Sequence, residues 1–144
     1  MLTLEWSVRM SRPGYEDYVF YQGEKFRIEF YFTEKGELPA KEYFRFSQQQ
    51  VQVKLLALVK YIAEYGRLFD ETKFRLVDKK EKIYEFKPMA ERFFCFFWEG
   101  GKIIITNAYQ KKGQKVDRRE LARAISLKGD YEFRVKGGVY YETS

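Results

Sequence analysis

Residues 83–115 constrain the fold of this chain more than any other segment, because they predict three consecutive antiparallel strands. The aromatic stretch 92–98 lies between two turn signals, a proline-containing loop at 88–91 and the pair Gly100-Gly101. Loops this short join neighbouring antiparallel strands. The segment should therefore fold as a meander within a sheet.

The two turns also predict which residues of the meander face each other. The first turn places Lys87 roughly opposite Arg92, and a pairing of Trp98 with Lys102 across the second turn places Arg92 opposite about Ala108. Four cations should then meet at one edge of the meander: Lys87, Arg92, Lys111 and Lys112. Because like charges repel, such a cluster favours phosphate recognition, and a solvated basic rim is the alternative.

Alternating apolar and polar residues predict further strands before the meander. The alternation covers residues 2–10 and 26–32, and a shorter strand is predicted at 18–22. We expect one domain over residues 1–144, with residues 1–25 as an N-terminal extension. Residues 2–22 would either extend the sheet by a strand or hairpin or form a surface for homo-oligomerisation.

A 3.6-residue repeat of apolar side chains predicts helices in two other places. One helix should cover about 39–66, either unbroken or as two helices with a break near Ser47. Another should begin at Asp117, in a capping box with Glu120, and end at Gly129. The segment after it, 131–134, should form a last strand or an extended tail. The pattern predicts an α+β fold in which helices pack on one face of an antiparallel sheet.

The composition excludes several kinds of site. The chain has no histidine, which removes histidine acid–base chemistry, histidine-dependent nucleophiles and most zinc sites. Its one cysteine, Cys95, lies in an aromatic run and should be a buried, unreactive thiol. No apolar run approaches the length of a transmembrane helix, so we expect a cytoplasmic protein without a membrane partner. A formal net charge of +6 favours nucleic acid or an acidic protein as partner.

Three short motifs lie in the meander: IYEFK at 83–87, RFFCF at 92–96 and AYQKKGQK at 108–115. Their order, between two helices, resembles the RelE/ParE superfamily of toxins from type II toxin–antitoxin systems, and within it the HigB-like, phage-type branch. The resemblance covers about residues 26–131 and implies a small RelE-like domain. Lys87 stands where that branch usually has arginine, so the charge is kept but the bidentate fork is lost.

The resemblance implies an endoribonuclease that inhibits translation by cutting messenger RNA, either on the ribosome or free of it, without metal or cofactor. In that hydrolase chemistry the ribose 2′-OH attacks the adjacent phosphate, leaving a 2′,3′-cyclic phosphate and a 5′-OH. The reaction requires a base, an acid and positive charge around the phosphorane. The implied partners are a cognate antitoxin of helix-turn-helix type, messenger RNA and the ribosome.

The resemblance also implies roles for individual residues. Arg92 should stabilise the phosphorane, and Lys87 should act as base because neighbouring cations lower the pKa of a lysine. Glu85 is the alternative base, unless it only forms an ion pair. Tyr131 is a candidate acid or base-stacking residue, with a position in the core as the alternative. Lys112 completes the catalytic set, and the flanking phosphates would be held by Lys111, Lys115 and Arg118.

An alternative of another class is a toxin without enzymatic activity. ParE-like members of the superfamily act on DNA gyrase, and a basic edge can also bind acidic groups of a protein. The concentrated cations of the meander favour the nuclease over this alternative.

Overall fold

The computed structural model describes residues 12–141, which form a six-stranded mixed sheet and four helices. The order across the sheet is β1-β2-β6-β5-β4-β3, and all neighbouring strands are antiparallel except β2 and β6, which are parallel. The α+β fold class is thereby confirmed. The elements in chain order are α1 Tyr15–Tyr18, β1 Val19–Gln22, β2 Arg27–Phe30, α2 Pro39–Arg45, α3 Gln49–Tyr65, β3 Phe74–Asp78, β4 Ile83–Phe86, β5 Glu91–Trp98, β6 Lys102–Gln110 and α4 Arg118–Lys136.

Alternate side chains of β5 enter two separate cores. Phe93 and Cys95 pack in the core that contains α2 and α3, whereas Phe94 and Phe96 pack in the core that contains α4. We call these two sides of the sheet the α3 face and the α4 face. The helices cover both faces rather than the single face expected, which explains why residues 93–98 of β5 are an unbroken run of apolar residues. Cys95 is buried as predicted, and burial raises the pKa of its thiol.

The segment 39–66, which was predicted to form either one helix or two, forms two helices. Pro39 occupies the first turn of α2, and the break follows Arg45. Gly66 caps α3 with a φ of 84°, a conformation that favours glycine. None of the helices in the described part of the chain is long and apolar enough to cross a membrane.

The last helix begins where predicted and ends later. Asp117 caps α4 by accepting hydrogen bonds from the amides of Arg119 and Glu120. The prediction that Gly129 ends the helix is wrong, as is the strand or tail predicted at 131–134, because α4 continues through both. A glycine inside a helix costs about 1 kcal/mol relative to alanine, and the buried side chains of the last two turns offset that cost.

The N-terminal strand predictions have different outcomes. The strand predicted at 18–22 is confirmed as β1, which extends the sheet beside β2. The strand predicted at 2–10 lies outside the described residues. Homo-oligomerisation through 2–22 stays a prediction.

Candidate phosphate-binding site

A β-bulge sets the residue pairs at the basic end of the meander. Trp98 pairs with Lys102, as predicted, but Arg92 pairs with Tyr109 and not with Ala108. The reason is a shift of one residue in the register between β5 and β6, which leaves one extra residue on β6.

The extra residue lies where β6 carries two buried polar side chains. Thr106 Oγ1 donates to Asn107 Oδ1 at 2.7 Å, and Asn107 Nδ2 donates to Glu120 Oε1 of α4 at 3.0 Å. These hydrogen bonds, one of which crosses the sheet–helix interface, satisfy the buried polar groups at the bulge. Because a slip of one residue reverses the face to which a side chain points, the bulge directs Tyr109 to the α4 face, where its ring centroid lies 5.5 Å from that of Phe94.

Four neighbouring strands each bring one cation to this end of the sheet. We call these residues the cationic row: Arg75 on β3, Lys87 after β4, Arg92 on β5 and Lys111 after β6. Burial and the charges of Arg75, Arg92 and Lys111 lower the pKa of the Lys87 amine, and Glu85 opposes them. Since neighbouring strands lie about 4.8 Å apart, the row spans about 15 Å. The structure therefore brings together three of the predicted residues and adds Arg75.

Glu85 is the buried anion beside this row. It pairs directly with Arg75 in the sheet register, and Arg75 Nε donates to Glu85 Oε2 at 2.6 Å. The Glu85 side chain is 1% exposed and that of Arg75 is 32% exposed. Glu85 thus forms an ion pair, which was the alternative to a role as base. Its other oxygen, Oε1, is buried and has no hydrogen-bond partner among the described residues.

The hairpin before β5 holds the guanidinium of Arg92. Arg92 Nη1 donates to the carbonyl oxygens of Met89 and Glu91, at 2.7 Å and 2.8 Å. Met89 has a φ of 58°, which is uncommon for a residue other than glycine. Arg92 Nε is buried and has no partner among residues 12–141. A buried charged N–H without an acceptor is costly, so an anion that bound here would remove that cost.

Lys87 is held by the loop that precedes β3. Its amide donates to the carbonyl oxygen of Lys73 at 2.8 Å, and its Nζ donates to that of Glu71 at 3.1 Å. In the part of the chain that the structure describes, none of Lys87, Arg92 and Lys111 forms an ion pair. The only carboxylate paired with the row there is Glu85, so the row keeps a net positive charge.

The other predicted phosphate ligands lie on the loop between β6 and α4. Lys112 and Lys115 are exposed in this loop, and Arg118 is exposed in the first turn of α4. The amide of Lys111 ties the start of the loop to the Ala90 carbonyl oxygen at 2.8 Å. Cations in the first turn of a helix oppose its dipole, and a bound anion would relieve that repulsion.

Tyr131 is not brought to this site. It is fully buried on α4, and its ring packs against those of Phe96 and Trp98. Trp98 is at the opposite end of β5 from Arg92. The Tyr131 hydroxyl shares a hydrogen bond with that of Tyr141 at 2.5 Å, and burial raises its pKa. The structure therefore places Tyr131 in the core, which was the alternative to a role in the site.

The burial of Tyr131 predicts a structural rather than a chemical phenotype. We expect Tyr131→Phe to remain stably folded, whereas Tyr131→Ala should lower the free energy of unfolding by about 3–5 kcal/mol, because it leaves a cavity among aromatic rings. Urea unfolding would measure the difference. Phe133→Ala, which truncates an exposed aromatic side chain of the same helix, is the matched control and should change stability by at most about 0.5 kcal/mol. A Tyr131→Ala variant as stable as the wild type would contradict this assignment.

Sequence reasoning missed two residues of the site, Arg75 and Tyr109. A local signal for Arg75 was present in the sequence. Arg75 lies in Phe74–Asp78, which is followed by a turn and forms a hairpin with β4. Tyr109 reaches the α4 face only through the bulge. Its hydroxyl accepts a hydrogen bond from the Asp117 amide at 3.3 Å, and burial is the first cause of its raised pKa, to which Glu85 adds.

Comparison with known families finds one match. Residues 42–128 match the family described as phage-derived Gp49-like proteins. The match extends from within α2 into α4 and includes every member of the cationic row. No curated protein matches the chain.

Proposed function

Because the chain belongs to the Gp49-like family of phage-derived proteins, which is of the RelE toxin type, we propose that it is a HigB-like toxin that cleaves messenger RNA without a metal. The family associates the chain with toxin–antitoxin systems and hence with an antitoxin partner. That the antitoxin is of helix-turn-helix type, and that cleavage occurs on the ribosome, are parts of the proposal.

The observation that carries the proposal is the cationic row. Four cations share one end of the sheet with a single buried carboxylate, Glu85, and that arrangement is costly without a bound anion. A span of about 15 Å accommodates more than one phosphate of a single strand. The unpaired Nε of Arg92 supports a phosphate at the middle of the row.

The proposed reaction assigns its steps to residues of the cationic row and to the loop between β6 and α4. Lys87 removes the proton from the ribose 2′-OH, and the 2′ oxygen then forms a bond to phosphorus while the bond to the 5′ oxygen breaks. Arg92 stabilises the charge of the phosphorane, because its guanidinium is always protonated. Lys112 returns a proton to the leaving 5′ oxygen. Lys111, Lys115 and Arg118 hold the flanking phosphates.

In this mechanism Glu85 acts through Arg75 and makes no contact with the reacting atoms. Its ion pair aligns the guanidinium of Arg75 with the rest of the row. Removing Arg75 would leave the buried carboxylate of Glu85 without its partner, so the two residues should be substituted together.

Incubation of the purified protein with translating ribosomes tests the proposal. We expect messenger fragments that carry a 2′,3′-cyclic phosphate at one new end and a 5′-OH at the other. The ParE-like alternative predicts intact messenger together with inhibition of supercoiling by DNA gyrase. Fragments with a 5′-phosphate at the new end would contradict the mechanism, and intact messenger would contradict the function.

Binding of single-stranded RNA should depend steeply on salt. Each phosphate contact contributes a slope of about −0.7 to log K against log salt, so four contacts predict about −3, or about a 60-fold loss of affinity over a fourfold increase in salt. Fluorescence anisotropy with a labelled, uncleavable oligonucleotide would measure the slope. Lys111→Gln should reduce its magnitude by about 0.7, and Lys79→Gln, in the exposed turn at the far end of β3, should not. Binding that is independent of salt would point to a protein partner instead.

A further inference from the structure

A cleft opens beside the hairpin that holds Arg92, where two neighbouring strands differ in length. Strand β2 pairs with β6 only as far as Ile105, whereas β6 continues to Gln110. The part of β6 that β2 leaves uncovered lies beside α2 and the hairpin, and the space between them has a volume of about 800 Å³. We call this space the α2 cleft. Its volume is in the range of sites that hold small organic groups, such as a nucleobase.

Two exposed apolar side chains line the α2 cleft from different elements. Phe46, at the end of α2, is 80% exposed, and Met89, in the hairpin before β5, is 45% exposed. Large apolar side chains that face water at the rim of a cleft indicate a binding surface. An exposed aromatic ring beside a row of cations is the combination on which proteins stack the bases of single-stranded nucleic acid.

Met89 belongs both to the α2 cleft and to the surroundings of Arg92. Its side chain lines the cleft, and its carbonyl oxygen accepts the hydrogen bond from Arg92 Nη1 at 2.7 Å. The next residue but one, Glu91, also lines the cleft, and its carbonyl oxygen is the second acceptor for Arg92. A nucleotide with its phosphate at Arg92 therefore has its base close to the cleft.

The charged groups that line the α2 cleft favour a base over the RNA backbone. They are three carboxylates and one guanidinium: Glu37, Glu42, Glu91 and Arg123. Glu91 accepts a hydrogen bond from the Tyr43 hydroxyl. The carboxylate of Glu42 is exposed and forms no ion pair within residues 12–141. Carboxylates repel phosphate but accept hydrogen bonds from the N–H groups of a base.

Glu42 and Phe46 lie one helical turn apart on the same side of α2. The Phe46 amide donates to the Glu42 carbonyl oxygen at 3.2 Å, as expected for residues at i and i+4. A base stacked on the Phe46 ring can therefore turn its edge toward the Glu42 carboxylate. Guanine has two adjacent donors on that edge, the ring N1–H and the 2-amino group, which together fit a carboxylate bidentately. Adenine, cytosine and uracil lack this pair of adjacent donors.

We propose that the α2 cleft binds an unstacked guanine of the RNA strand whose phosphates occupy the cationic row. Phe46 stacks on the base, Met89 lies on the other side of the cleft, and Glu42 selects guanine by accepting its two N–H groups. Glu42 contacts the base and takes no part in the reaction at phosphorus. This inference rests on the proposed function, because it names the base that the nuclease binds beside the phosphate at Arg92.

Three uncleavable oligonucleotides test this assignment in fluorescence anisotropy. One is a 2′-O-methyl oligouridine, and the other two carry a single guanosine or a single inosine at its centre. Inosine differs from guanosine only by the missing 2-amino group. We expect the wild-type protein to bind the guanosine oligonucleotide about tenfold more tightly than either of the other two, since one bidentate contact discriminates by about this factor or more.

Variants of the two proposed base contacts should change this preference in different ways. Glu42→Gln should abolish the difference between guanosine and inosine, because an amide offers only one acceptor atom, while the affinity for oligouridine should stay within about twofold. Phe46→Ser should weaken binding of the guanosine oligonucleotide about tenfold, because it removes the stacking surface. Glu34→Gln and Phe133→Ser change exposed residues outside the cleft, and these matched controls should bind all three oligonucleotides like the wild type.

The outcomes separate this inference from the proposed function. Equal binding of the guanosine and inosine oligonucleotides by the wild type would overturn the inference, and so would a guanosine preference that both Glu42→Gln and Phe46→Ser leave unchanged. In either case, salt-dependent binding of the oligouridine would leave the proposed function standing. A protein that bound none of the three oligonucleotides would overturn both.

Discussion

Replacing Arg92 with glutamine should abolish growth inhibition and slow RNA cleavage by about 10²–10³-fold. Glutamine is neutral, so it cannot offset the charge that develops on the phosphorane. The variant also loses the hydrogen bonds to the Met89 and Glu91 carbonyl oxygens, at a cost of about 1 kcal/mol in stability. Single-turnover cleavage, growth curves and urea unfolding, run side by side, would separate the two effects.

Two other variants serve as controls for Arg92. Arg118→Gln removes an exposed arginine of the same basic end, and it should weaken RNA binding slightly while leaving the rate of cleavage nearly unchanged. Arg92→Lys keeps the charge but loses the bidentate geometry of the guanidinium. Its rate of cleavage should therefore fall between that of Arg92→Gln and that of the wild type. Full toxicity of Arg92→Gln at normal expression would remove Arg92 from the mechanism.

Replacing Lys87 with arginine should lose cleavage and keep RNA affinity. Arginine keeps the positive charge but does not give up its proton near neutral pH, so removal of the base should slow the chemical step by about 10²–10⁴-fold. For the wild type, the rate should rise about tenfold per pH unit below the pKa of Lys87. Burial and the neighbouring cations lower that pKa, which places the rise at a lower pH than for an ordinary lysine. The arginine variant should lack this rise.

Lys111→Arg is the matched control for Lys87→Arg. Both changes keep the charge of the row, but Lys111 only holds phosphate in the proposed mechanism, so its variant should keep both cleavage and affinity. An active Lys87→Arg would reject Lys87 as the base. The role would then pass to the unpaired oxygen of Glu85, or to no protein group.

Much of this arrangement follows from local signals in the sequence. Short turns at 88–91 and 99–101 leave neighbouring strands no choice but antiparallel pairing, so the cations at the ends of these strands meet. The helix starts at Pro39 and Asp117 were predictable for the same reason, since an N-terminal cap or a first-turn proline acts within a few residues. The end of α4 was not predictable, because the burial of side chains beyond Gly129 outweighed the tendency of a glycine to end a helix.

Only the tertiary structure decided which residues face the proposed phosphate site. The bulge on β6 turns Tyr109 to the α4 face. Asn107 stabilises the bulge through a hydrogen bond to Glu120 of α4. Arg75 joins the row because β3 pairs with β4 at the edge of the sheet. The continuation of α4 carries Tyr131 into the core, away from the site. Local patterns determined the strands and their cations, whereas contacts between distant elements decided the register and the faces, because an offset of one residue reverses every side chain that follows it.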